Sequence, residues 1–310
     1  MKSATWCLIV LFASISVGLC EDGQLRVAAF NVQIFGVSKF SQPEVVSILS
    51  RIVRRYDVVL IQEIRDVSET VITSFLDIVN NDSLVDGVQY SLSVSVRLGR
   101  TSSKEQYAFM YRMDKVTIVS AHQYMDTTDL FERPPYSILL NAPGLPQFFL
   151  TGVHIQPSSA FNEINSLLPV YEVVSNIFNT SRGIILGDMN ADCSWLSQTS
   201  YSMLDLVNDG RFHWLIDSQT DTTTNSNDCS YDRIVVSGGV LDYVVNGSAG
   251  VFRYDDQYNL TMELALDVSD HYPVHFTLQG EGSTGGGRQV MVAALVPLLA
   301  ALCALALIIV

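Results

Sequence analysis

Four short runs of apolar residues in this chain each end on a side chain that can do chemistry. Arg26 to Phe30 ends in Asn31, Val58 to Ile61 in Gln62-Glu63, Phe148 to Val153 in His154, and Gly183 to Leu186 leads to Asp188. Short apolar runs without alternation read as strands buried on both faces, so each sheet must be covered on two sides. Two more strand-like runs begin with such residues: Tyr231-Asp232 precedes Arg233 to Val236, and Ser269-Asp270-His271 precedes Tyr272 to Leu278. In a mixed sheet, strands that finish and strands that start share one edge. Asn31, Glu63, His154, Asp188, Asn190, Asp232, Asp270 and His271 are therefore expected to converge on one site. The densest stretch is GDMNADCS, Gly187 to Ser194. Its Gly, Asp and Asn are also ordinary turn residues, and it is the whole set at strand termini that argues for a site.

The remaining pattern mixes β-branched runs with a few amphipathic helices. Ser41-Gln42-Pro43-Glu44 has the form of a capping box, and Val45, Ile48, Leu49, Ile52 and Val53 follow it at helical spacing. A second helix is expected to carry Ile164, Leu167, Leu168, Tyr171, Val174 and Phe178. Helices against strands of both kinds predict an α/β layered sandwich. No linker, repeat or low-complexity stretch interrupts Gln24 to Gln279, which reads as one domain.

The two ends bound where such a chain acts. Residues 1–20 carry Lys2, an apolar stretch from Trp6 to Leu19, and small residues ahead of Glu21-Asp22, the form of a secretory signal peptide. The domain is then 21–279, followed by a small-residue spacer over 280–289 and a wholly apolar tail over 290–310. No basic residue follows the tail, which favours a GPI signal with Gly282, Ser283, Thr284 or Gly285 as the attachment site and Ser283 the candidate; a tail-end membrane helix is the alternative. Without both segments only Cys193 and Cys229 remain, and an even pair in a secreted protein predicts a disulfide. Sequons at Asn81, Asn179, Asn246 and Asn259 make them candidate glycosylation sites of a secreted glycoprotein.

A net charge of -14 argues against gripping nucleic acid by a broad basic surface. It leaves room for a nuclease whose carboxylates hold divalent cations. Arg51, Arg54 and Arg55 read as a solvated helix face, whereas Arg65, Arg100 and Arg133 are the candidates for phosphate contact.

Ala28-Ala29-Phe30-Asn31, RIVRRYDVVLIQEIRD (Arg51 to Asp66), GDMNADCS, CSYDRIVV (Cys229 to Val236) and SDHYPV (Ser269 to Val274) together resemble the deoxyribonuclease I family, in order from Leu25 to Leu278. The resemblance implies the endonuclease/exonuclease/phosphatase fold, a four-layer sandwich of two packed mixed β-sheets flanked by helices. The GPI-type tail is similar to that of the membrane-anchored, deoxyribonuclease-X-like branch. An endonuclease dependent on Mg²⁺ and Ca²⁺ is implied, a monomer at the outer face of the plasma membrane, cutting DNA, in double-stranded form, to 5′-phosphate and 3′-hydroxyl ends. Open beside it are a lipid phosphodiesterase of the same fold, sphingomyelinase-like, and a non-catalytic surface binding protein.

By that resemblance Glu63, Asn31 and Asp270 would hold Mg²⁺, and Glu105 with His154 and Asp232 with His271 would form two imidazole–carboxylate pairs. In one scheme His154 is the general base and His271 the acid; in another Asp188 activates the water and Asn190 orients it. Arg65, Arg133 and Tyr231 would contact substrate. Asp221, Thr223 and Asn225, with Asn227, resemble a structural Ca²⁺ loop, while a second calcium loop looks shortened around Asp126 to Glu132. Gln33 and Ser103 replace an arginine and a tyrosine of the pancreatic type, which should reshape the grip on duplex DNA. The actin-binding patch is only partly recognisable, at Tyr90, Ser91 and Leu92, and inhibition by actin is not expected.

Overall fold

The computed structural model describes residues 23–82 and 87–280; the signal segment, Ser283 and the apolar tail lie outside the described residues. The strands are β1 (Gln24–Phe35), β2 (Val58–Ile64), β3 (Tyr90–Val94), β4 (Gln106–Arg112), β5 (Thr117–Gln123), β6 (Tyr136–Asn141), β7 (Phe148–His154), β8 (Gly183–Asp188), β9 (Phe212–Trp214), β10 (Asp232–Ser237), β11 (Gly250–Val251) and β12 (Val274–Gln279). They form two six-stranded sheets, ordered β11-β12-β1-β2-β4-β3 and β5-β6-β7-β8-β10-β9. Each sheet has one parallel pair, β1 with β2 and β7 with β8, and antiparallel neighbours elsewhere. The architecture is that of two packed mixed sheets with helices outside.

The crossover helices explain the parallel pairs. Helix α1 (Pro43–Val53) returns the chain from β1 to β2, α2 (Val71–Asp82) follows β2, and α3 (Ala160–Asn165) with α4 (Leu167–Phe178) returns it from β7 to β8. Helix α5 (Met262–Val268) precedes β12. Among the described residues no helix is long and apolar enough to cross a membrane.

Two details differ from the sequence reading. The Ser41 hydroxyl donates to the Ser38 carbonyl at the end of a short helix, Val37–Phe40, so it does not cap α1, which starts at Pro43 with Gln42 in the N-cap position and no side-chain cap. The second helix breaks at Ser166 into α3 and α4, because Pro169 has no N–H and fits only a first turn.

Strand pleat sets where the core lies. On β1, Val27 and Ala29 face the second sheet together with Val58 and Leu60 of β2, meeting Leu150, Leu186 and Ile234 across the gap. The alternate residues Ala28, Phe30, Val59 and Ile61 face outward against α1, α2 and α5. The second sheet turns Phe149, Ile185 and Val235 outward against α3 and α4. Both ends of the folded domain meet at one pole, where the Gly280 N–H donates to the Gly23 carbonyl at 3.0 Å.

Gly187, one residue before Asp188, has a φ of +135°, and a Cβ there would run into the Val153 carbonyl oxygen and the Gln62 amide. Gly187→Ala is expected to lose at least about 2 kcal/mol in urea unfolding. Gly210→Ala, at an open position with nothing within 4 Å, should stay within about 0.5 kcal/mol of wild type. Equal stability of the two variants would contradict this account of β8.

Candidate active site

The same pleat that builds the inner core delivers a polar cluster where the apolar residues run out. Counting by two carries Ala29 to Asn31 on β1, Leu150 to His154 on β7, Leu186 to Asp188 on β8, Ile234 back to Asp232 on β10, and Tyr107 back to Glu105 before β4. Asp188 is the hub. Its Oδ2 accepts a hydrogen bond from Asn31 Nδ2 at 3.1 Å and lies 3.5 Å from His154 Nε2 and 3.7 Å from His271 Nε2. Its Oδ1 accepts the Asn190 N–H at 2.9 Å, and Asn190 Nδ2 donates to the Ile155 carbonyl. Each imidazole has its Nδ1 2.7 Å from a buried carboxylate, Glu105 for His154 and Asp232 for His271.

Glu63 has the wrong parity, and the backbone bends to bring it in. The β1–β2 register slips between Asn31 and Phe35, and Gln33, Ile34 and Glu63 take left-handed φ values of 47°, 54° and 59°. This bulge lets the Ile34 N–H donate to Glu63 Oε2 at 3.0 Å and the Gln33 N–H to Asn31 Oδ1 at 2.9 Å. Glu63 Oε1 then accepts from Asn31 Nδ2 at 3.1 Å and lies 3.8 Å from His154 Nε2. Left-handed backbone at a β-branched residue such as Ile34 costs on the order of 1–3 kcal/mol.

The arginines divide. Arg65 Nη2 donates to Glu105 Oε1 at 2.7 Å and lies 3.1 Å from Glu63 Oε2. Arg133 Nε donates to the His154 carbonyl, and its buried Nη2 has no hydrogen-bond partner. The Arg100 guanidinium is tied to Asp129 and Glu132 in a surface loop. Tyr231 packs on His271, with ring centroids 6.2 Å apart.

Two groupings of oxygen and nitrogen donors bear on a metal. The group of His, Cys, Asp and Glu ligand atoms within 4.8 Å of one another, among the described residues, is Asp188, Asp232 and His271. Asp270, beside it, has a buried Oδ1 that accepts no hydrogen bond and lies 3.8 Å from His271 Nε2. A buried oxygen without a donor suits a hard cation. Lys39 Nζ, near Glu63 and Asp270, donates to the Val32 and Val268 carbonyls; burial lowers its pKa to about 8 against the pull of Asp270 and Glu63. In the Asp221 loop the oxygens are shared locally: Asp221 Oδ1 accepts from the Thr223 N–H, and Asn225 Oδ1 from the Asn227 N–H. Asp126 Oδ2 likewise accepts the Phe131 N–H of its own loop.

Sequence reasoning passed over the residues that hold these elements together. Thr222 Oγ1 accepts the Tyr231 and Asp232 N–H groups, and Thr224 Oγ1 donates to the Ser269 carbonyl. Ser269 Oγ in turn donates to the Asn31 carbonyl at 2.6 Å. Buried Arg233 donates to the Ala191 and Ile216 carbonyls, and buried Glu163 accepts the Glu132 and Gln156 N–H groups, flanking Arg133 and His154. Arg233 carried a signal, a polar residue inside an apolar stretch, as did Gln62, whose amide donates to the Val153 carbonyl at 2.6 Å. Cys193 and Cys229 form a disulfide across 36 residues, worth about 4 kcal/mol in the chain-entropy account. It joins the loop after Asp188 to the segment before Asp232.

The sequence profile of the endonuclease/exonuclease/phosphatase family matches residues 28–271. Deoxyribonuclease-1 of Bos taurus is 40% identical over 279 residues, spanning 87% of this chain and 96% of that protein. Deoxyribonuclease gamma of Mus musculus is 37% identical over 273 residues, spanning 86% and 88%. In fold, the chain is similar to an endonuclease/exonuclease/phosphatase protein from Bacteroides vulgatus, with a TM-score of 0.57 at 15% identity over 83% of this chain and 99% of that one. A mannosyl-6-phosphatase from Bacteroides thetaiotaomicron has a TM-score of 0.53 at 18% identity, covering 81% and 98%.

Burial raises the pKa of Glu105, but His154, Arg133 and Arg65 outweigh it and hold the carboxyl at about 2, below its ordinary 4.5. A carboxylate depressed on folding stabilises the fold fully above about pH 4.5, and that contribution is lost as pH falls towards 2. Glu105→Gln should be less stable than wild type at pH 6 and lose less stability between pH 4.5 and 2. Urea unfolding at a series of pH values checks both; parallel profiles would refute the pairing.

Proposed function

The chain belongs to the deoxyribonuclease I family, within the endonuclease/exonuclease/phosphatase proteins, and is a deoxyribonuclease; from that premise we propose a divalent-metal-dependent endonuclease acting on double-stranded DNA at the cell surface. The observation that carries the site assignment is the pair of imidazoles aimed at Asp188 from two sides, each backed by a buried carboxylate at 2.7 Å. Cleavage would leave 5′-phosphate and 3′-hydroxyl ends.

Each residue has a task the geometry supports. With Nδ1 engaged by Glu105, His154 presents Nε2 as the base for an attacking water. Burial alone would lower the His271 pKa, but Asp232, Asp188 and Asp270 raise it, which suits His271 to protonate the departing 3′ oxygen. Asp188 already accepts from Asn31 and Asn190, which suits a role in orienting both imidazoles and the water. Arg65 and Arg133 supply guanidinium donors beside Glu105 for the phosphate, and Tyr231 shields His271.

The donor chemistry fits divalent cations. Glu63, Asn31 and Asp270 would hold Mg²⁺, and the all-oxygen set of Asp221, Thr223 and Asn225 suits a structural Ca²⁺. When bound, Mg²⁺ would neutralise charge developing on the phosphate. A signal peptide and GPI anchor would place the domain outside the cell, in keeping with exposed sequon asparagines at Asn81, Asn179, Asn246 and Asn259.

The purified ectodomain should nick supercoiled plasmid with Mg²⁺ and Ca²⁺ and lose that activity in EDTA. His154→Ala and His271→Ala should each lower the rate at least about 100-fold. An intact plasmid alongside hydrolysed sphingomyelin would replace this reading with the lipid one. Release of the full-length protein from cells by phosphatidylinositol-specific phospholipase C tests the anchor, and retention would favour a membrane helix.

A further inference from the structure

One charged group beside the site has no task in the chemistry above. Lys39, on the short helix after β1, is half-buried near Glu63 and Asp270. Taking an ammonium out of water is costly unless its hydrogen bonds are replaced. Its Nζ replaces them with two backbone carbonyls, Val32 and Val268, at 2.8 Å each.

The two carbonyls come from opposite ends of the chain, and each belongs to one half of the residue set assigned to Mg²⁺. Val32 lies in the slipped stretch of β1, between Asn31 and the N–H groups of Gln33 and Ile34 that hold Asn31 Oδ1 and Glu63 Oε2. Val268 closes α5, where a helix leaves its last carbonyls unpaired and favours a cation, and Asp270 follows two residues on. A parallel tie runs from Ser269 Oγ to the Asn31 carbonyl at 2.6 Å. A cap for α5 alone would not need Val32, and a brace for the bulge alone would not need Val268.

We propose that Lys39 is a positioning residue for the divalent cation: it clamps the end of β1 to the Asp270 segment, so that Asn31, Glu63 and Asp270 stay together before the metal binds. This rests on the Mg²⁺ assignment made above. The charge of Lys39 and its clamp have effects of opposite sign. Positive charge beside a cation site repels the cation, so by charge alone its removal tightens Mg²⁺ binding. Loss of the clamp lets the two segments part, and binding then weakens by the cost of bringing them back.

Calorimetric titration of the DNA-free protein with Mg²⁺ separates the two, with Glu63→Gln marking the heat that belongs to this site. Lys39→Met, similar in shape and without charge, should bind Mg²⁺ at least about tenfold more weakly than wild type. Ser269→Ala, which removes the parallel tie and no charge, should shift in the same direction. Thermal melting of each metal-free variant checks that it is folded. Equal or tighter Mg²⁺ binding by folded Lys39→Met overturns the clamp and leaves Lys39 a structural lysine. If Lys39→Met does not fold, unchanged affinity in Ser269→Ala overturns it instead. A wild-type titration that lacks the Glu63-dependent heat removes the Mg²⁺ assignment, and the clamp with it.

Discussion

In a pleated strand successive side chains point to opposite faces, and in this molecule both faces of the central strands are buried. Every inner position must therefore be apolar or be answered by a partner from the other sheet. Over most of the gap the answer is Val27, Ala29, Leu60, Leu150, Leu186 and Ile234. At one edge the same positions carry Asn31, His154, Asp188 and Asp232, which are buried as well. The polar cluster is the inner core continued in polar residues.

That continuation sets a severe electrostatic condition. Asp188, Asp232 and Glu105 are carboxylates withdrawn from water, and each is tolerable only beside a donor. The donors come from distant parts of the chain: Asn31 lies 157 residues from Asp188, and His271 lies 39 from Asp232. Fold and site are thus mutually dependent, because the carboxylates demand the imidazoles and amides that the two sheets bring together. The threonines at 222 and 224, the serine at 269 and the Cys193–Cys229 disulfide then hold the loops that bear these groups.

Much of this was legible in the sequence, for a physical reason. Apolar runs that stop at a polar side chain mark strand ends, so Asn31, His154 and Asp188 could be placed at one sheet edge without coordinates, while the face each takes could not, because a run buried on both faces shows no alternation. Glu63 was placed in the set by the end of its run, but the backbone reversal through which its side chain reaches the cluster is one that no periodicity announces. The acids that pair with Arg100, Asp129 and Glu132, lie about thirty residues away, so that pairing was not legible. The capping box at Ser41 failed for a local reason, a competing helix end one turn earlier. Threonine and serine hydroxyls gave no warning, because their partners are backbone groups of other segments.

The meeting of Gly23 and Gly280 has a consequence for how the enzyme can be held. Strand β12 starts just after His271 and ends at that junction, its six residues spanning about 20 Å. It acts as a strut between the edge that carries the polar cluster and the point where the chain enters and leaves the domain. Anything attached through either terminus, whether a surface, a lipid or a fused protein, grips the pole remote from the cluster, and the working edge is presented outward like the blade of a tool held by its handle.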